Sequence, residues 1–244
     1  MGKTIEIQAP DGVAEAYLTG EVGRPGVLFY MDAIGLRPRI EEMADRIASW
    51  GYVVLAPNVF YRDGRVADLA PRADLRDHGE REAFFAGGVM DRVHGLTPDH
   101  AEPDAAAWVA ELEQHAGDGP IGVTGYCMGA RLAVRTAGWH PGTVAACGGF
   151  HGGGLATDAD DSPHRAIAVS TAEFAFGHAD HDRSMPLDAV AALEDALMAA
   201  DRPHLNEVYA GAAHGYTMAD TSVYDETATE RHFTVLRRLL ARTL

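Results

Sequence analysis

The sequence predicts an α/β fold with a mostly parallel central sheet, and three observations predict it. Short runs that are apolar throughout, Gly26 to Met31 and Tyr52 to Ala56, read as strands buried on both faces. An amphipathic helix separates them, and strand, helix and strand in so short a stretch make a βαβ unit with parallel strands. The alternation then returns along the rest of the chain, with no linker, repeat or low-complexity tract to divide it. Residues 1–244 are therefore expected to form one doubly wound domain.

The elements follow in order. Ile5 to Gln8 and Ala14 to Thr19 alternate apolar and polar residues around Asp11-Gly12, the pattern of an antiparallel strand pair. After the Gly26–Met31 strand, Pro38 stands in the first turn of a helix that carries Ile40, Met43, Ala44, Ile47 and Ala48 at helical spacing. Gly51 closes that helix, and Pro57 ends the next strand. Arg62 to Glu82 is charged and turn-rich, an excursion over the rim of the sheet. Thr97-Pro98 starts a helix running to about Ala116. Strands are expected at Ile121–Thr124, Val144–Gly149, Thr171–Phe176 and Leu205–Tyr209, and helices at Ala130–Trp139, Leu187–Ala200 and Asp225–Leu244.

Composition narrows the function. Hydrophobic residues make up 47% of the chain, enough for one sizeable core, while 20 basic against 36 acidic side chains leave a net charge of −16. That balance argues against nucleic acid or an anionic membrane surface as partner, since both require basic patches. The first residues lack the apolar stretch of a signal peptide, and Glu6 stands where a myristoylation signal places Ser or Thr. A cytoplasmic protein, a monomer or homodimer acting on a small molecule, is expected. Cys127 and Cys147 are the only cysteines, too few for a disulfide framework.

Gly125-Tyr126-Cys127-Met128-Gly129 lies between a buried strand and an Ala-rich helix. It has the form of the G-x-S-x-G nucleophile elbow of the α/β-hydrolase fold, with Cys for Ser. The sharp turn strains the nucleophile's backbone, and glycines on either side let neighbouring chain pass close. The helix N-terminus favours a thiolate, and the amide of Met128 can face a developing oxyanion. Cys147, mid-strand with no base near it in sequence, reads as core.

In that fold nucleophile, acid and base follow in chain order on loops after successive strands. Asp180 stands four residues beyond the expected end of the strand at Phe176, and is the expected orienting acid, with Asp182 the second choice. His214 lies in the small-residue loop Ala210-Gly-Ala-Ala-His-Gly after the last strand, and is the expected base. His178, Asp180, His181 and Asp182 also resemble metal ligands. Ligands so crowded into one loop rarely close a site without a distant partner, so neither metal nor other cofactor is expected. His78, His115 and His232 read as surface residues.

These residues together resemble the dienelactone hydrolase family. The elbow, the loop Gly177 to Asp180 followed by Pro186, and Ala-His-Gly at 213–215 carry the likeness. Phe29 to Gly35 and Tyr52 to Tyr61 extend it over nearly the whole chain. The resemblance implies an α/β-hydrolase domain with little or no cap that hydrolyses small esters or lactones through a thiolate. It also implies that Asp32 corresponds to a glutamate that contacts the resting thiol and helps to deprotonate it, and that Ala33 supplies the second oxyanion-hole amide. Arg81, His151 and Met218 are the expected substrate contacts. The family pattern places a substrate-binding arginine shortly after the catalytic histidine, whereas here Gly-Tyr-Thr-Met-Ala follows His214. A preference for neutral esters or lactones is therefore expected, although Arg76 or Arg81 could retain one charged contact. A thioesterase on the same triad and a non-catalytic, redox-sensing protein are the competing readings.

Overall fold

The computed structural model describes residues 2–244. Eight strands form one sheet: β1 (Lys3–Ala9), β2 (Gly12–Thr19), β3 (Gly26–Tyr30), β4 (Val53–Pro57), β5 (Ile121–Tyr126), β6 (Val144–Phe150), β7 (Glu173–Ala179) and β8 (His204–Tyr209). Their order is β1-β2-β4-β3-β5-β6-β7-β8, and β2 alone runs against the rest. Every residue of β3, β4 and β5 is buried, as their unbroken apolar runs require.

The helices are α1 (Pro38–Ala48), α2 (Val66–Leu69), α3 (His78–Phe84), α4 (Met90–Gly95), α5 (Pro98–Glu113), α6 (Met128–Trp139), α7 (Leu187–Ala199) and α8 (Glu226–Thr243). The crossover from β3 through α1 to β4 moves toward one edge of the sheet, and that from β5 through α6 to β6 moves toward the other. With right-handed crossovers, α1 and α6 must then lie on opposite faces. An Arg46–Glu230 ion pair and the Trp50–Phe233 edge contact join α8 to α1, while α5 packs beside α6. The reversal of winding falls between β3 and β5, whose carboxyl ends open a crevice. Residues 32–36 leave β3 there, and Cys127 leaves β5 there.

Two expectations change. The charged excursion does not stop at Glu82. It continues as α3, a kinked stretch over Phe85–Val89 in which Gly87 and Gly88 leave helical geometry (Gly88 at φ +94°), and α4. This short helical segment covers the crevice in place of a cap domain. His232 is fully buried on the inner face of α8, not on the surface. Its Nδ1 donates to the Thr229 carbonyl at 2.6 Å, and its Nε2 accepts from the Tyr126 hydroxyl at 3.1 Å. Burial drives its pKa down to about 3, so it stays neutral.

Candidate active site

The elbow is built by two glycines. A methyl group on Gly125 would overlap the backbone of Gly129, and one on Gly129 would overlap the carbonyl oxygens of Met31 and Tyr30. The turn therefore presses α6 against the end of β3, and Cys127 is held at φ +56°, ψ −118°. Such a conformation is costly for a residue with a Cβ, and it persists because the packing around it permits no other. It lifts the half-buried Cys127 above the strand ends.

His214 Nε2 lies 3.0 Å from Cys127 Sγ. His214 Nδ1 donates to Asp182 Oδ2 at 2.6 Å, and Asp182 Oδ1 accepts from the amide and the hydroxyl of Ser184 at 2.8 and 2.7 Å. Burial opposes the Cys127 thiolate, but the adjacent His214 charge and hydrogen bond outweigh it and lower the thiol pKa. Burial likewise opposes the imidazolium, and the Cys127 thiolate with Asp182 overcomes it and raises His214. Asp182 also loses solvation, yet its bonds to His214 and Ser184 hold it near 2. The three side chains form one hydrogen-bonded chain from Cys127 Sγ through His214 to Asp182. Burial alone acts on Cys147 and raises its thiol pKa.

Asp180, expected as the orienting acid, does not meet His214. The ladder with β8 runs on through Gly177, His178 and Ala179, so β7 ends three residues later than expected. Asp180 is thus the first residue after the strand. Its Oδ2 accepts from Gly211 N at 2.9 Å and its amide donates to the Ala212 carbonyl, tying the two loops together. His181, at φ +52°, turns the chain so that Asp182 faces the histidine. His178 sits within β7, buried, bonded to Asn206 Oδ1 at 2.6 Å. Among the described residues no cluster fit to hold a metal ion occurs.

Asp32 is not on the thiol either. Arg37, at the N-cap of α1, takes Asp32 Oδ1 at 2.6 Å and Oδ2 at 3.2 Å, and it also pairs with Asp220 Oδ2 at 2.6 Å. No hydrogen bond joins Asp32 to Cys127 among the described residues. Arg37 Nη2 also touches Met218 Sδ at 3.3 Å. Met218, expected as a substrate contact, is buried beneath the site beside this ion cluster.

Ala33 and Met128, the expected oxyanion residues, both line the pocket over Cys127, and the Met128 amide faces Sγ. The pocket has a volume of about 430 Å³. Phe85, Met90 and Val93 of the covering segment form its apolar wall, and Arg81 and Arg131 supply its charge. Arg81 Nε is buried without a partner, and neither arginine has a carboxylate partner among the described residues. Burial lowers the Arg131 pKa, opposed by the nearby Cys127 thiolate. Sequence reasoning missed Arg131 and Ser184. Arg131 follows Cys127 by one helical turn, a spacing that could have drawn attention to it.

The profile of the dienelactone hydrolase family matches residues 14–244. The carboxymethylenebutenolidase of Pseudomonas sp. (strain P51) is 24% identical over 224 residues, covering 88% of this chain and 85% of its own. A Klebsiella pneumoniae structure described as a candidate dienelactone hydrolase superposes with a TM-score of 0.82 at 20% identity, covering 99% of this chain and 98% of that one. The dienelactone hydrolase-like promiscuous phosphotriesterase P91, from metagenomic libraries, gives a TM-score of 0.76 at 21% identity, covering 100% and 98%. At these identities the structural likeness establishes the α/β-hydrolase fold. The family match goes further: this chain belongs to the dienelactone hydrolase family and is an ester or lactone hydrolase of that kind.

Proposed function

We propose that the chain hydrolyses small esters or lactones bearing an anionic group, with Cys127 as nucleophile, His214 as acid and base, and Asp182 as the orienting carboxylate. The observation that carries this reading is the unbroken chain from Sγ to Nε2 at 3.0 Å and from Nδ1 to Oδ2 at 2.6 Å. The thiolate attacks the acyl carbon, and the oxyanion forms beside the amides of Ala33 and Met128. The His214 imidazolium then gives its proton to the departing alkoxide oxygen, leaving an acyl-cysteine and a neutral imidazole. Water attacks that thioester, His214 takes a proton, and the C–S bond breaks to return the thiolate.

The pocket's charge supports an anionic substrate rather than the neutral one expected from the Met218 position. A guanidinium that loses water without a partner is costly, and a substrate carboxylate would offset that cost for Arg81 and Arg131 together. The test compares kcat/KM for a lactone carboxylic acid with that for its methyl ester. The acid should be favoured about tenfold or more, roughly 1.4 kcal/mol in the transition state, and Arg131→Leu should erase most of that margin. Equal rates, or faster turnover of the methyl ester, would refute the anionic assignment.

A further inference from the structure

A second, much smaller cavity of about 20 Å³ adjoins the pocket over Cys127 and shares Ala33, Arg81, Phe85, Cys127 and His214 with it. Cys127, His214, Asp32 and His151 line part of it, with Thr221 and Ala33 beside them. Its volume matches a single water molecule, and although Ile34, Phe85, Met218 and Val223 make most of its wall apolar, Asp32, His151, His214 and Thr221 supply the few polar partners that a buried water needs. His151 is the unusual member. It is fully buried at the end of β6, with φ +39° in the left-handed region, and its ring lies 5.5 Å from that of His214. Its Nε2 bonds Thr217 Oγ1 at 2.7 Å, while its Nδ1 is buried with no hydrogen-bond partner. A strained backbone and an unpartnered polar atom beside a reacting centre are features that stability alone does not favour.

We infer that this cavity is the station of the hydrolytic water and that His151 is its positioning residue. The inference rests on the acyl-cysteine reading above. In the tautomer that donates Nε2–H to Thr217 Oγ1, which this role requires, Nδ1 is a bare acceptor. The water donates one hydrogen to it and turns the other toward His214 Nε2, which is neutral and free of the thiolate once Cys127 is acylated. In the attack the water oxygen forms the new bond to the acyl carbon, and its proton passes to Nε2. Collapse breaks the C–S bond, giving the carboxylic acid and restoring the thiolate–imidazolium pair. Burial, with the His214 imidazole beside it, pushes the His151 pKa well down, so the ring stays neutral. Acylation does not use this water, so His151 should matter only in the second half of the cycle.

The experiment separates the two halves with a p-nitrophenyl ester. Single-turnover release of p-nitrophenol gives acylation, and decay of the Cys127 adduct by intact mass gives deacylation. His151→Gln preserves a polar group near Nε2 for Thr217 but removes the acceptor at Nδ1. It should acylate within about twofold of wild type, deacylate about tenfold or more slowly, and accumulate the adduct. His151→Asn places an oxygen near the Nδ1 position and should deacylate within a few fold of wild type. A residue that merely supports the fold slows acylation and deacylation together, whichever of the two variants the left-handed backbone at 151 tolerates better. Equal loss of both steps in His151→Gln, or deacylation by His151→Gln within about twofold of wild type, would overturn the inference. Failure of the underlying reading is distinct: no adduct would form on Cys127 in any variant.

Discussion

Two carboxylates stand two residues apart on the loop after β7, and their partners give them different work. Asp182 accepts from His214 Nδ1 and two groups of Ser184, while Asp180 accepts from the Gly211 amide. An asparagine at 182 keeps the shape but presents an amide that favours the wrong imidazole tautomer and no longer supports the imidazolium. Asp182→Asn should therefore lower kcat by roughly ten-thousandfold, the order seen when a triad carboxylate is removed. Asp180→Asn retains an oxygen for Gly211 N, and kcat should stay within about threefold of wild type. Steady-state kinetics on both variants decides it, and the opposite pattern would return the orienting role to Asp180. The sequence brought both residues into view but not their order of use. The boundary of β7 depends on pairing with β8, and His178, which reads as a loop residue beside Gly177, is a buried strand residue.

At the scale of elements, the elbow was legible because its requirements are local. A buried strand, two glycines around Cys127 and an Ala-rich helix are all adjacent in the chain. The glycines also reach across the fold, since the space a side chain at 129 would occupy belongs to the carbonyls of Tyr30 and Met31. Gly129→Ala must push β3 from α6 and should destabilise the protein by about 3 kcal/mol, the upper range for overpacking a tight core site. Denaturant unfolding would show the midpoint falling with little change in slope; a midpoint equal to wild type would mean that the elbow is less tightly packed. The covering segment was not legible beyond Glu82. Its helices, α3 and α4, are short, their surfaces are largely charged, and Gly87-Gly88 interrupts any period between them. Their inward residues Phe85, Met90 and Val93 are defined by the pocket they close.

Across the whole molecule, the parallel sheet made the fold readable, because strands buried on both faces show as continuous apolar runs. Cys127, Asp182 and His214 then fall beyond strand ends that the winding of the sheet brings together. What the sequence withheld were charges meeting across long separations. Arg37 binds Asp220 over 183 residues, and with Asp32 in the same grip the acidic residue after β3 is tied away from the thiol. Arg131 likewise becomes informative only once no carboxylate is found beside it. The distinction between the two cysteines is also a property of the assembled fold. In the unfolded chain both are ordinary thiols with pKa near 8.5. Folding lowers Cys127 through His214 and raises Cys147 by burial. A lowered pKa keeps the thiolate populated as pH falls below the ordinary thiol range, whereas a raised one delays ionisation to higher pH.

The measurement that tests the central claim most directly is the iodoacetamide modification rate of each cysteine against pH, native and in denaturant, mapped by mass spectrometry. In the native protein Cys127 should react at pH 6 to 7, about tenfold or more faster than an unperturbed thiol, while Cys147 remains unmodified. In denaturant the two should titrate alike near the ordinary thiol value. Native Cys127 following that ordinary titration, or Cys147 reacting first, would contradict a thiolate nucleophile at the elbow.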